Sequence, residues 1–469
     1  MTIELTLPRR RTDALRGTGT LHLLGDPGYD AARTPWNVAV DQRPAAVAHP
    51  ATVAEVQQVV RAAAAADLRV APQSTGHNAG PLAAQGLDDI VVLRTSAMTG
   101  VTVDPVRQTA RVEGGALWIH ATESAAEHGL AALHGSSPDV GIAGYSLGGG
   151  IGWYARKLGL ATNSLTAVEL VTADGEHLRA DPYRNPELFW ALRGGGGSFG
   201  VVTALEFRLY PIESAYAGMM VWDLARAEAV LQEWAGWAPG SPDEVTTALR
   251  VLNLPPLPDI PAPLRGRSVV VLDGAVLAGD DRAESILGGL RALSPEIDTF
   301  ARVPARTLTR LHMDPEGPSP FVSGTAMLDA FPQAAIEAFL GEVGTGSTTS
   351  LLLAELRQLG GALGRDHEGG GALKRLDAQF VAFAGAVAAT PEMAANGERD
   401  AHRLMASLAP WANGRNYLNF AEGAVDPRTG YDELTWLRLK AIRSAVDPNG
   451  LFVGNHRIPR LVEDGRVTD

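Results

Sequence analysis

Residues 69–80 read RVAPQSTGHNAG, a short apolar run that passes through polar and small residues into a Gly-His pair. On its N-terminal side lies TVAEVQQVVRAAAAADL, where Thr52 and Glu55 have capping-box spacing ahead of a strongly helical run. PAAVAHP before that helix and DIVVLRT after the Gly-His turn both read as strands. Residues 43–105 are therefore an α/β unit, and His77 stands at the C-terminal end of one of its strands. Taken alone, an imidazole in a turn is surface decoration, a metal ligand or an acid-base group, and the surrounding chain has to decide.

Moving outward, GSSPDVGIAGYSLGGGIGW (135–153) holds seven glycines, too many for the interior of a helix or strand because each ordered glycine costs backbone entropy. Such a run lets main chain approach another body closely. LTAVELVTADGEHLRA then reads as a hairpin around ADGE. In NPELFWALRGGGGSFGVVTALEFRLYPI the residues Gly195, Gly197 and Gly200 match GxGxxG, but the order is helix, loop, strand. A dinucleotide fingerprint needs strand, loop, helix so that the pyrophosphate meets a helix N-terminus, so the Rossmann reading is rejected. No P-loop motif occurs. The glycine loops at 141–152 and 194–200 and the turn at 73–80 can line one groove, where bare N–H groups suit a pyrophosphate and a planar ring.

After Ile212 the texture changes. A proline-rich connection, NLPPLPDIPAPLRGR, and segments alternating between strands (SVVVLDGAVLAG, LLLAELRQLGG) and helices (RAESILGGLRAL, PQAAIEAFLGEV) indicate a second, α+β domain. RNYLNFAEG is expected to be a last strand, followed by the helix DELTWLRLKAIRSAV. As a strand, NYLNF would set Tyr417 and Asn419 on one face, and LLLAELRQLGG would do the same for Glu355 and Arg357.

The bulk composition is that of a soluble globular protein. With 469 residues, 45% of them apolar and 20% charged, the chain can bury two or three cores. A net charge of -13 opposes binding to nucleic acid or to an acidic membrane surface. No segment approaches the roughly 20 apolar residues of a membrane span. The N-terminus has arginines without a following apolar run, which reads as a cytoplasmic start. The chain has no cysteine, which excludes disulfides, thiolate nucleophiles, cysteine-ligated zinc and cysteinyl cofactor links. No metal ligand set is expected, and nothing in the sequence speaks to oligomeric state.

The segments YDAARTPWNVAVDQRPAAVAHPATVAEVQQVVRAAAAADLRVAPQSTGHNAG, GSSPDVGIAGYSLGGGIGWYARKLGLATNSLTAVELVTADG, NPELFWALRGGGGSFGVVTALEFRLYP, LGGAL, NYLNF and DPNGLFVGNHRIP run through nearly the whole chain in one order. In that order and content the chain resembles the berberine-bridge-enzyme-like branch of the vanillyl-alcohol-oxidase, or PCMH-type, FAD oxidoreductases. The resemblance implies an α/β and α+β fold: a two-subdomain FAD-binding domain at 1–212, a substrate domain at 213–410 with an antiparallel sheet covered by helices, and a segment at 411–469 that returns to the flavin.

The resemblance also implies roles for residues. Gly76 and His77 fall on the family's Gly-His pair, whose histidine is linked to the 8α carbon of FAD. Gln73, Ser74 and Thr75 fall on the pyrophosphate loop, where many members have Arg-Gly-Gly or Arg-Ser-Gly, and Asn78 completes the turn. Ser137 takes the place of the cysteine that forms a second link in many relatives, so a single histidyl attachment is expected. Val140, Gly141, Ile142, Gly144 and Tyr145 would line the cofactor, as would Gly148, Gly149, Gly150, Ile151, Gly152 and Trp153. Asn163, Val202 and Asn455 would complete its surroundings. Ile142 falls where the gate for oxygen is thought to lie.

Tyr417 matches a tyrosine that serves as base in relatives, with Asn419 beside it. An ordinary tyrosine, with a pKa of about 10, would then need nearby positive charge to lower it. Glu355, Arg357 and the neighbouring Arg250 are the substrate-side candidates, with Arg357 placed to tune Tyr417; the plain alternative is an exposed ion pair. The implied activity is hydride transfer from a C–H next to O or N of a small, secondary-metabolite-like molecule to FAD, with dioxygen reduced to hydrogen peroxide. A flavin-dependent cyclase, isomerase or dehydrogenase that does not use dioxygen, or a non-catalytic FAD carrier, are the alternatives.

Overall fold

The computed structural model describes residues 11–461 apart from 14 and 20, so of the stretch 1–19 read as a cytoplasmic start, residues 1–10 and 14 lie outside the described residues. The α/β unit forms as its pattern dictates. The helix Val53–Ala65 starts where Thr52 Oγ1 accepts from Glu55 N at 3.2 Å. The Glu55 carboxylate answers by accepting from Ala51 N, one residue before the cap, at 2.6 Å. Val56, Val59, Val60 and Ala63 of this helix are buried against the first sheet.

That sheet has the order β1(Leu21–Leu23), β2(Ala46–Ala48), β4(Ile90–Arg94), β3(Arg69–Gln73). β2, β4 and β3 are parallel, which suits their near-continuous apolar sequences. β3 is not left as an open edge. Val70 N donates to Leu451 O at 2.8 Å and Val453 N to Val70 O at 2.9 Å, so the returning C-terminal segment completes it.

The second sheet is antiparallel in the order β5(Val101–Asp104), β6(Thr109–Glu113), β9(Val201–Arg208), β7(Leu165–Val171), β8(His177–Ala180). β7 and β8 are the hairpin expected around ADGE. Pro186–Leu192, a loop and β9 follow in helix, loop, strand order, which upholds the rejection of a Rossmann fingerprint.

The third sheet is a large antiparallel layer from β10(Ser214–Asp223), β11(Val245–Asn253), β12(Ser268–Val276), β13(Ile297–Asp298), β14(Ala301–Pro304), β15(Phe321–Leu328), β16(Leu353–Gln358) and β17(Phe380–Val387). The helices Ala227–Trp237, Asp280–Arg291, Gln333–Val343 and Pro391–Leu408 cover one face, and Trp222, Trp234, Phe339 and Phe380 fill the layer between.

Two expectations are corrected. The glycine-rich run is not loop throughout: Ile142–Leu147 form a short helix, because Ile142, Ala143 and Leu147 supply an apolar face that the second core buries. NYLNF is not a strand either. It runs into a 3-10 turn at Leu418–Phe420 without a ladder partner. No described helix is long and apolar enough to cross a membrane.

Candidate active site

The Gly-His turn is locked from both sides. Trp36 N donates to Thr75 O at 2.9 Å, and the buried Arg94 guanidinium donates to Thr75 O at 3.2 Å and Thr34 O at 2.9 Å. Gly76 has φ +83°, and a Cβ there would lie 2.7 Å from Pro35 Cβ, so both conformation and space require glycine. His77 follows, stacked on Trp36 with ring centroids 4.0 Å apart. Its Nδ1 lies 2.7 Å from Thr75 Oγ1 and its Nε2 3.7 Å from Asp139 Oδ1. Asp139 accepts from Trp36 Nε1 at 2.7 Å, from Ser137 Oγ at 2.8 Å and from Gly317 N at 2.8 Å. Burial pushes this carboxyl up, but the His77 ring and these donors outweigh it and hold it well below the usual carboxylate range.

The body that the glycine run approaches is the pair Tyr417 and Asn419. A Cβ at Gly148 would collide with the Asn419 amide, and one at Gly149 would lie 3.1 Å from the Tyr417 ring. Gly150 N donates to the Tyr417 hydroxyl at 2.8 Å, and Asn419 Nδ2 donates to the same oxygen at 3.2 Å. The expected pairing of the two side chains therefore holds without the expected strand. The expected depression of the tyrosine does not. Burial pushes the phenol up to about 12, against the opposing pull of the two N–H donors and the Arg357 charge.

Glu355 and Arg357 do share a face of β16, and they are ion-paired, with Glu355 buried and Arg357 half-buried rather than exposed. The pair extends inward. Glu355 Oε2 lies 3.3 Å from His312 Nε2, and His312 Nδ1 lies 2.7 Å from Asp273 Oδ2, which accepts from Arg250 at 2.5 Å. Arg357 also reaches Ser136 Oγ at 3.3 Å, and Ser136 donates to Asp314 at 3.2 Å. Burial and the Arg250 charge push His312 down, but Asp273, Asp314 and Glu355 prevail and raise it to about 9. Burial pushes Glu355 up, and Arg357 and His312 more than reverse it, to well below the usual range.

All of this opens on one cavity of about 550 Å³. Its wall includes Gln73 to Asn78, Ser137, Val140, Gly141, Gly144, Tyr145, Gly148, Ile151, Val202 and Asn455. Gly194 to Gly197 and Gly200 join from the other glycine loop, so the groove inferred from three small-residue segments exists. Tyr417, Asn419, Glu355 and Arg357 line its far end.

Seven expected residues stand back from this wall. Ile142 is fully buried in the second core, Gly149, Gly150 and Gly152 serve the packing behind it, and Trp153 donates to Leu308 O at 2.9 Å. Asn163 donates to Lys374 O at 3.2 Å, and Arg250 points into the charge cluster rather than toward the cavity.

The residues present suit FAD. Gln73 Oε1, Ser74 Oγ, Asn78 Oδ1 and the Tyr145 hydroxyl are buried without a hydrogen-bond partner along the wall, which is costly unless a ligand serves them. Gly196 and Gly197 have open space where a Cβ would stand, leaving main chain bare to the cavity. Among the described residues no group of His, Cys, Asp or Glu could hold a metal ion.

Sequence reasoning missed Trp36, Asp139, His312, Asp314 and Glu422, all but Asp139 on the wall. Asp139 follows Ser137 by two residues and Trp36 lies in the quoted TPWN, so proximity to known motifs was the available signal. Glu422 lies just past NYLNF, where its carboxylate accepts from Ser323 Oγ at 2.7 Å and burial raises it to about 7. His312 and Asp314 carry no motif.

Residues 44–181 match the family model described as "FAD binding domain". The chain is 35% identical to xylooligosaccharide oxidase of Thermothelomyces thermophilus over 228 residues, 47% of this chain and 45% of that protein. It is 36% identical to (R)-6-hydroxynicotine oxidase of Paenarthrobacter nicotinovorans over 198 residues, 42% and 43% of the two chains. The chain thus spans about half the length of the curated relatives it matches. The crystal structure of 6-hydroxy-D-nicotine oxidase from Arthrobacter nicotinovorans superposes with a TM-score of 0.82 at 25% identity, covering 95% of this chain and 98% of that one. BBE-like 1 of Physcomitrella patens shares the fold with a TM-score of 0.82 at 22% identity, covering 96% and 99%. Residues 44–181 are thus an FAD-binding domain by its family model, and the fold of the whole chain is that of the 6-hydroxy-D-nicotine oxidase and BBE-like 1 structures.

Proposed function

We propose that the protein is an oxidase that removes a hydride from a C–H next to O or N of a small, secondary-metabolite-like molecule, using FAD held through a single covalent bond to His77 and passing the electrons to dioxygen. The observation that carries the reading is the continuous cavity, which joins the Gly-His turn and both glycine loops to Tyr417, Asn419, Glu355 and Arg357. The division into an FAD domain at 1–212, a substrate domain at 213–410 and a returning C-terminal segment is part of it. It is supported by the third sheet beginning at Ser214 and by Phe452 bridging to Val70.

FAD, when bound, supplies the two-electron acceptor. The chain's own residues do the rest. Gln73, Ser74 and Asn78 offer polar atoms to the cofactor, and the main chain at Gly194–Gly197 approaches it. Tyr417 holds a proton at its hydroxyl oxygen, fixed by two N–H donors, and accepts the substrate's proton when it is itself deprotonated. Arg357 and Glu355 present a fixed charge pair to the substrate's polar group. Ser137 cannot form a thioether, which leaves His77 as the sole anchor. The test is incubation with candidate alcohols and amines in air. Hydrogen peroxide released in step with substrate supports the oxidase, whereas anaerobic flavin bleaching without peroxide in air would favour a dehydrogenase.

A further inference from the structure

Asp139 is unusual among the groups around His77. It is mostly buried, it accepts from three donors on three separate segments, Trp36, Ser137 and Gly317, and its remaining approach faces His77 Nε2 at 3.7 Å. Trp36 adds a second constraint by stacking on the same imidazole while donating its Nε1–H to the same carboxylate. The ring is thus held on its face by Trp36 and faced at Nε2, beyond hydrogen-bond distance, by the carboxylate. The hydroxyl of Ser137, where relatives were expected to carry a linking cysteine, is turned to the service of that carboxylate.

We propose that Asp139 is the positioning group for covalent attachment of the flavin, facing the Nε2 side of His77 across 3.7 Å and stabilising the positive charge that builds on the imidazole as the opposite nitrogen bonds to the 8α carbon. The inference rests on the reading of His77 as the covalent anchor. With Nε2 facing the carboxylate, the nucleophile is Nδ1, whose lone pair accepts from the Thr75 hydroxyl and is freed when that hydroxyl turns aside. The step forms one N–C bond and breaks one C–H bond at the flavin methyl group and one imidazole N–H bond. The two protons released are matched by two electrons left on the flavin, and dioxygen takes both pairs to become hydrogen peroxide. The carboxylate favours the imidazolium-like charge that builds on His77 during attack, as an orienting carboxylate does for a nucleophile's partner base.

The test uses the full chain made under riboflavin limitation and mixed with FAD in air, with the acid-precipitated flavin and the intact mass followed in time. Wild-type protein should gain the mass of one FAD less two hydrogens and keep its flavin through acid. Asp139→Asn should bind FAD, seen as a shifted flavin absorption band, but attach it more slowly by a factor on the order of 10², with Asp139→Glu recovering part of the rate. Attachment by Asp139→Asn at the wild-type rate overturns the role of Asp139 while leaving the covalent anchor intact. Complete release of flavin from wild type by acid overturns both. If Asp139→Asn fails to bind FAD, Trp36→Phe decides: it keeps the stacking ring and removes the donor to Asp139. Slowed attachment there supports the proposal, and an unchanged rate overturns it.

Discussion

The backbone N–H of Gly150 donates to the Tyr417 hydroxyl at 2.8 Å, so the glycine run holds the phenol oxygen directly. Burial nevertheless raises the phenol to about 12. If Tyr417 is the base, kcat/KM should climb with pH through the alkaline range, because only the rising phenolate fraction reacts. Tyr417→Phe should lower kcat by about 10² to 10⁴ and abolish that climb. Steady-state rates from pH 6 to 10 check both, and an unchanged rate in the variant would remove Tyr417 from proton chemistry.

His312 sits between Asp273 and Glu355 and is raised to about 9. A histidine raised in the folded state stabilises fully below its unfolded pKa near 6.5, and that contribution is lost as pH rises toward 9. The shift corresponds to about 3 kcal/mol at most. Thermal unfolding should therefore show a loss of Tm between pH 6.5 and 9, and His312→Gln should flatten this stretch while lowering Tm at pH 6.

Glu422 has the opposite character, a carboxyl raised to about 7 by burial beside Ser323. Its neutral form is the one the fold prefers, so it costs stability increasingly as pH rises from about 4.5 to 7. Glu422→Gln should raise stability at pH 8 by about 1 to 3 kcal/mol and leave pH 4 nearly unchanged. Denaturant unfolding at the two pH values separates this from a uniform gain.

Arg357 is half-buried, pairs with the buried Glu355 and reaches Ser136. Arg357→Ala leaves the Glu355 charge without its nearest partner and should cost about 3 to 5 kcal/mol of stability. Arg357→Met together with Glu355→Gln should recover most of it, since no uncompensated charge remains. Peroxide formation should stay low in both if the charge pair holds the substrate.

Gly76 has φ +83° and Pro35 within 2.7 Å of where a Cβ would stand. Gly76→Ala should displace His77 from the Trp36 stack and, if His77 anchors FAD, lower the flavin kept through acid, with destabilisation of about 1 to 3 kcal/mol. The flavin content of acid-precipitated protein reads this directly.

The sequence by itself determined the local architecture and the location of the groove that the small-residue segments line. The helix after Thr52, the hairpin around ADGE, and the helix, loop, strand order around Gly194–Gly200 are set by caps, alternation and turn residues within a few positions of one another. His77 and the glycine run were legible for the same reason, because glycine where a side chain cannot fit leaves its mark in composition. What only the tertiary structure decided depends on segments far apart in the chain. Tyr417 and Asn419 meet through a 3-10 turn, because the pocket that holds them is the main chain of Gly148–Gly150, more than 260 residues earlier. Arg250 turns into the charge cluster because Asp273, on the adjacent β12, offers a buried carboxylate. Asp139 gathers Trp36, Gly317 and His77 around one carboxylate. Burial, which sets the protonation of Tyr417 and Glu422, and the carboxylates gathered around His312, which raise it, are properties of the assembled fold and have no counterpart in the order of residues.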